Sequence, residues 1–280
     1  MREISGVLIT EAVEKLCMDS NYIIDKKILS KLEEAAKKEE SELGREILRQ
    51  IVENDKIASQ EKVPMCQDTG MAVIFLEFGT EVKVDSDIYG AIQEGVRRGY
   101  KNGFLRKSIV KHPLERVNTN DNTPAVIHTK LIQGSDRIKI TVAPKGGGSE
   151  NMSTVKMLKP SDGIEGVKKI VLETVSEAGG NPCPPVIVGV GIGGSFEKAA
   201  LLAKEALLRD VEDESPVAVD AELEKELLKL INNTGIGPMG LGGRTTALAV
   251  KVNSHPCHIA SLPVAINMNC HASRHREIII

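Results

Sequence analysis

Three of the five cysteines lie in loops at the edges of apolar, strand-like runs: Cys66 in "MCQDTG", Cys183 in "NPCPP" and Cys270 in "MNCHAS". A thiolate is a nucleophile and a metal ligand, and the neighbouring prolines, glycine and short polar residues suit close approach to a bound group. The three are far apart in sequence and form no compact C-x-x-C knuckle, so any convergence must come from the fold. Three thiolates from separate loops suit an iron–sulfur cluster in which the protein holds three irons and leaves the fourth open. Such an iron is a Lewis acid, able to polarise a carboxylate and to bind water or hydroxide. The other two cysteines read differently. Cys17 falls in a helical run beside Val13 and Leu16, where cysteine acts as a small buried hydrophobe, and Cys257 reads as a core residue near a strand end.

Two other chemistries compete for the same residues. "HPCH" and "CHASRH" together offer His255, Cys257, His258, Cys270, His271 and His275, a dense set of nitrogen and sulfur donors for zinc. Their spacing follows no standard finger, and a zinc site leaves Cys66 and Cys183 without a role. The second competitor is a nucleotide, because "NPCPPVIVGVGIGGSFEKA" contains G-x-G-x-x-G at Gly189, Gly191 and Gly194. A dinucleotide site also needs a second parallel strand, ending in an acidic residue, about 20 residues on. Here the next stretch, "DVEDESPVAVDAELEKELL", is acidic, broken by proline and helical again. The alternative for these glycines is tight packing of a strand against the following helix, or helix N-terminal amides aimed at an anion.

Composition narrows the class. The chain has 280 residues, enough for a sizeable core, and its 36 Lys plus Arg against 39 Asp plus Glu give a net charge of −3. With no basic face, 2% aromatic residues and no Trp, neither nucleic acid nor an anionic membrane is expected as a partner. The first residues, "MREISGVLIT", lack the features of a secretory signal, and no apolar run approaches the ~20 residues that span a bilayer. A cytoplasmic protein with free thiols or metal-bound cysteines is expected.

The elements that must position these residues follow from periodicity and punctuation. Thr10 is the expected N-cap of a first helix, and "DKKILSKLEEAAKKEESELGREILRQIVEN" reads as one long or broken amphipathic helix. "MAVIFLEF" reads as a strand, and Ser86 or Asp87 caps a helix through "SDIYGAIQEGVRRGYKNG". "AVIHTKLI" and "RIKITVAP", joined by "QGSD", read as a hairpin, and "KGGGSEN" as an exposed glycine cluster. "SDGIEGVKKIVLETVSEAGG" is a helix with a glycine stop; "PVIVGV" is a strand followed by helices from "SFEKAALLAKEALLRD" and "AELEKELLKLI". "TTALAVKV" and "IASLPVAI" are strands, followed by a short tail. The expected fold is α+β, a helical N-terminal lobe packed with a mixed β-sheet region in a single large domain over 1–280.

The motifs "MCQDTGMAVIF", "APKGGGSENMS", "GGNPCPPVIVGVGIGGS", "GLGGRTTALAV" and "HIASLPVAINMNCHASRH" resemble, in order and spacing, the α component of the iron–sulfur class of fumarate hydratases and the related L-tartrate dehydratases. The resemblance covers nearly the whole chain. It implies that Cys66, Cys183 and Cys270 ligate a [4Fe–4S] cluster. It further implies that Gln67 and Asp68 meet the substrate or its water, and that Arg106 pairs with a carboxylate of a C4 dicarboxylate substrate. Lys145, Gly146, Gly147, Gly148, Ser149, Glu150 and Asn151 would line the same site, and His258 would approach the substrate, with Asp68 and His258 assisting proton movement. By the same resemblance a β subunit supplies the principal base, and the assembly is α2β2. The implied activity is hydration of fumarate to malate, with L-tartrate dehydration as the rival.

Overall fold

In the computed structural model, which describes residues 1–280, the chain is of mixed α and β structure and forms two compact units. The first comprises Met1–Ile24, Asp55–Gly147 and Arg274–Ile280; the second comprises Asp25–Asn54 and Gly148–Ser273.

In the first unit, strand β1 (Arg2–Ile4) pairs with β3 (Val82–Val84), and a four-stranded sheet runs in the order β10-β5-β2-β4. Its central strand β2 (Met71–Gly79) is parallel to β4 (Val126–Ile132) and antiparallel to β5 (Ile138–Lys145), which in turn pairs with β10 (Arg276–Ile279). The expected hairpin of β4 with β5 is therefore not formed. The apolar run of β2 is buried along most of its length, and a strand of that kind is most stable with a neighbour on each side, so it separates the two. The short tail supplies β10.

Helices α1 (Gly6–Tyr22) and α4 (Ile88–Asn102) pack against each other. The cap of α1 is Ser5, whose side chain accepts from Val7 N, and not Thr10, whose hydroxyl lies inside the helix and bonds Gly6 O and Ala91 O. Asp87 caps α4 as expected. A Cβ on Gly95 would lie 2.6 Å from Val13 Cβ and one on Gly99 2.7 Å from Cys17 Cβ, so these glycines set the close approach of the helices. The core joins Ile9, Val13 and Leu16 to Ile92, Val96 and Tyr100 and to Ile74, Leu76, Ile138 and Ile140. Each such aliphatic side chain stabilises by about 1.5–3 kcal/mol.

The second unit contains α2 (Lys26–Lys38), the first turns of α3 (Glu42–Glu61), and a sheet in the order β6-β9-β7-β8. The strands are β6 (Thr154–Leu158), β7 (Val186–Gly193), β8 (Ala247–His255) and β9 (Leu262–Asn269). Alternation along β7 separates two faces. Val186, Val188 and Val190 meet α6 (Gly163–Ala178) and α8 (Ala218–Asn232), whereas Gly189 and Gly191 lie under α7 (Phe196–Ala206). A Cβ on Gly189 would sit 2.2 Å from Ala203 O and one on Gly191 2.1 Å from Ala199 O. The glycine pattern is thus filled by the chain's own helix, as the packing alternative requires, and the residues after α7 form α8 where a dinucleotide fold needs a strand.

Candidate functional site

The first unit gathers Gln67, Asp68, Arg106 and Lys145 at one end of its sheet, and the register explains why. Met71, the first residue of β2, is opposite Lys145, the last of β5, and β10 and β4 both begin at that same end. The segment before β2, which carries Cys66, Gln67 and Asp68, therefore meets the Lys145–Gly147 turn after β5. Asp68 joins them: one carboxylate oxygen accepts from Gly70 N at 2.9 Å and the other from Gly147 N at 2.8 Å. Gly70 is left-handed (φ +74°), and a Cβ there would lie 2.7 Å from the Lys145 backbone. Only glycine fits this crossing.

Arg106 is brought to the same loop through its backbone. Its N–H donates to Thr69 Oγ1 at 2.9 Å and its carbonyl accepts from that hydroxyl at 3.2 Å, while its side chain is exposed. Gln67 is exposed, and Cys66 and Asp68 are half-buried. The "KGGGSEN" stretch is less open than its composition suggested: Lys145 and Ser149 are buried, and Gly147–Glu150 forms a single helical turn, α5.

Several residues that sequence reasoning did not single out hold this loop. Tyr100 Oη donates to Thr69 O and Gly70 O, each at 2.9 Å, and burial raises its pKa so that the phenol stays a neutral donor. Asn122, fully buried, donates to Gly70 O and accepts from Ser108 N. Arg274 donates to Asp68 O. The only sequence signals were a tyrosine on an apolar helix face and polar residues just before strands β4 and β10.

In the second unit the same logic places two thiols together. Asn269 ends β9 opposite Ile187 near the start of β7, so Cys270 and Cys183 flank one end of the sheet. His271 N donates to Cys183 O at 3.2 Å, and Asn269 Nδ2 donates to Ser273 Oγ, closing the turn after Cys270. Cys183 adopts φ +57° and both cysteines are half-buried. The segment leading into β6 reaches this end too: Glu150 accepts from Asn267 Nδ2 and from Lys204 Nζ, and Asn151 is exposed. These neighbouring, partly accessible thiols fit the donor set of a cluster. Cys17 does not, since burial, reinforced by Glu14, pushes its thiol up to about 12.

His258 is placed elsewhere. It follows the end of β8, which pairs in parallel with β7, so it lies at the opposite end of this sheet from Cys183 and Cys270. The zinc donors are split likewise, with His255, Cys257 and His258 at one end and Cys270 and His271 at the other. No group of three or more His, Cys, Asp or Glu side chains is arranged around a single metal ion. Cluster thiolates bind different irons and need not converge on one point, unlike zinc ligands. The 255–261 loop is instead internally bonded: His258 Nδ1 accepts from Ala260 N at 3.1 Å and Cys257 Sγ donates to Ser261 O.

The remaining glycine-rich loop holds an anion of the chain's own. Glu39, at the end of α2 and 2% exposed, accepts from the amides of Ser41, Arg244 and Thr245. Burial alone would raise its pKa; these donors outweigh it and hold the carboxyl at about 2.

A sequence model described as fumarate hydratase (Fumerase) matches residues 10–279. A protein of Methanocaldococcus jannaschii, named provisionally as an L(+)-tartrate dehydratase subunit alpha, is 46% identical over 272 residues, covering 95% of each chain. The L(+)-tartrate dehydratase subunit alpha of Escherichia coli K12 is 33% identical over 256 residues, 90% of this chain and 84% of the relative, and that of Escherichia coli O157:H7 is 32% identical with the same coverage.

Proposed function

The chain belongs to the fumarate hydratase (Fumerase) family, and from that premise we propose that it is the α subunit of a two-subunit iron–sulfur hydro-lyase acting on a C4 dicarboxylate. The reaction proposed is reversible hydration of fumarate to malate. The observation that carries the site reading is the hydrogen-bonded pairing of the Cys183 and Cys270 loops in a chain of this family. Cys66, at the head of the Asp68 loop, is assigned as the third ligand by the resemblance of its motif.

A [4Fe–4S] cluster held by these thiolates would supply an open iron as Lewis acid, making hydroxide a better leaving group. The chain's own residues do the rest of its share. The Arg106 guanidinium suits bidentate pairing with a substrate carboxylate, and its backbone is fixed by Thr69. Lys145, the amides of Gly146–Gly148, and Ser149, Glu150 and Asn151 are proposed to line the dicarboxylate site, with Gln67 orienting the entering or leaving water. Asp68 retains unused lone pairs on both oxygens and can take or return a proton there. His258, at the other end of its sheet, is the second proton-handling residue proposed, and its replacement by Asn should cost less than that of Asp68. A β subunit is proposed to contribute the principal base, within a cytoplasmic α2β2 assembly in which residues 1–280 act as one catalytic domain. No helix of the chain is long and apolar enough to cross a membrane.

L-tartrate dehydration is the second reading, favoured by the names of the relatives. The test is anaerobic purification with the β partner, iron and sulfide analysis, and turnover of fumarate, malate and L-tartrate. About four irons per α chain, as a four-iron cluster requires, with fumarate preferred in kcat/KM, is the expected result. Preference for L-tartrate transfers the assignment to the second reading, and zinc or no metal without turnover overturns both. Replacing Cys183 by Ser should lower iron content and reduce turnover at least ~100-fold while leaving the half-buried turn folded.

A further inference from the structure

Arg274 is 4% exposed, yet its guanidinium makes one hydrogen bond, from Nη2 to the backbone carbonyl of Asp68. Its other terminal nitrogen, Nη1, is buried without a hydrogen-bond partner. Burying a guanidinium is costly, and leaving one of its nitrogens without a partner costs more, so a residue serving only as packing would not be an arginine. A methionine or leucine fills similar space without that cost.

The charge is placed deliberately by the topology. Arg274 stands two residues before β10, whose first residue pairs with Val142 of β5. It is thereby brought beside the Gly146 turn, where a Cβ would lie 3.2 Å from Asp68 Oδ2 and 3.8 Å from Arg274 Nη2. The neighbouring carbonyls of Thr69 and Gly70 are taken by the neutral hydroxyl of Tyr100. Along three consecutive carbonyls, then, the one nearest Cys66 receives a full positive charge and the other two a neutral donor.

We propose that Arg274 is a positioning residue for the Cys66–Gln67–Asp68 segment, fixing its backbone and setting a positive charge beside the residues that face anionic ligands. The role concerns only the first unit, and its bearing on turnover rests on the hydro-lyase reading. The guanidinium acts through the peptide of Asp68 and not on the substrate, so its loss should lower kcat more than it raises KM.

The experiment compares full-length wild type with Arg274→Lys, Arg274→Gln and Tyr100→Phe. Amide hydrogen exchange of residues 66–70 is measured on the chain alone, followed by iron content, kcat and KM after anaerobic assembly with the β subunit. Arg274→Gln should speed exchange of 66–70 at least tenfold while the β2 and β5 amides stay protected. With the partner, it should lower kcat at least tenfold with KM changed less than threefold, and Arg274→Lys should restore at least half of the loss on a logarithmic scale. Tyr100→Phe should speed exchange of the same segment with a smaller kcat loss, because it removes no charge. If Arg274→Gln remains folded with unchanged exchange at 66–70, or Arg274→Lys behaves like Arg274→Gln in every readout, the proposal is overturned. If Arg274→Gln unfolds the whole unit, exchange in Arg274→Lys decides: protection of 66–70 at wild-type level supports the proposal, and its loss with the sheet intact overturns it. Lack of iron and turnover in wild type, with faster exchange of 66–70 in Arg274→Gln, refutes the hydro-lyase reading while leaving the positioning role standing.

Discussion

The first unit holds its candidate loop with side chains, whereas the second holds its cysteine turns mainly with backbone. Around Asp68, the hydroxyls of Tyr100 and Thr69, the amide of Asn122 and the guanidinium of Arg274 each bond a main-chain atom. Around Cys183 and Cys270, the bond between main chains and the register of β7 with β9 do the same work, beneath a helix seated on bare glycines. Each region is therefore fragile in its own way. Polar substitutions should loosen the first, and added side-chain bulk should break the second. Glu39 is one of the side chains that do brace main chain in the second unit, a carboxylate holding a glycine loop.

The largest effect should come from Gly191→Ala. Its Cβ would meet the backbone oxygen of Ala199 at 2.1 Å, an atom that cannot rotate away, so α7 must lift from the sheet. A loss of about 3 kcal/mol or more, read from chemical denaturation, is expected. A loss below about 1 kcal/mol would break the claim that this unit is packed by its glycines.

Glu39→Gln comes next. The folded carboxyl titrates near 2 and the unfolded one near 4.5, so its contribution is present in full above the unfolded pKa and disappears as pH falls through the folded value. Wild type should therefore lose on the order of 3 kcal/mol between pH 5 and 2 from this group. In Glu39→Gln that part of the acid dependence should vanish, leaving a flatter stability profile. Equal profiles for the two proteins would remove Glu39 as a brace.

Tyr100→Phe should cost the first unit about 1–2 kcal/mol, since one hydroxyl proton shared by two buried carbonyls is lost. The thermal midpoint checks it. Gly134→Ala is the smallest change and the control. Nothing lies within 4 Å of its Cβ, but φ is +71°, so only the backbone term of about 1 kcal/mol should appear. If Gly134→Ala costs as much as Gly191→Ala, steric crowding is not what distinguishes the two positions.

Much of the fold was legible. The Asp87 cap, the Gly179 stop of α6 and the strand–helix step from β7 to α7 are written in local residue types. The hairpin of β4 and β5 was misread because turn residues mark a reversal without saying which strands flank it. The α1 start was misplaced since Thr10 is as good a capping residue as Ser5 in composition. At the site, the cysteine loops were visible as odd residues beside strands, and Gln67 and Asp68 were reached through the resemblance of their motif. Their braces were not.

The periodic elements and the loops able to bear chemistry follow from residue order alone, because helix and strand periods, caps and glycine stops act over a few residues. Only the tertiary structure decided that β2 lies between β4 and β5, that Glu39 fills the loop before Thr245, and that Arg274 grips the peptide of Asp68. Those partners are separated by up to 206 positions. Their meeting depends on strand order and register, and these are settled by how the whole set of apolar faces can be buried at once.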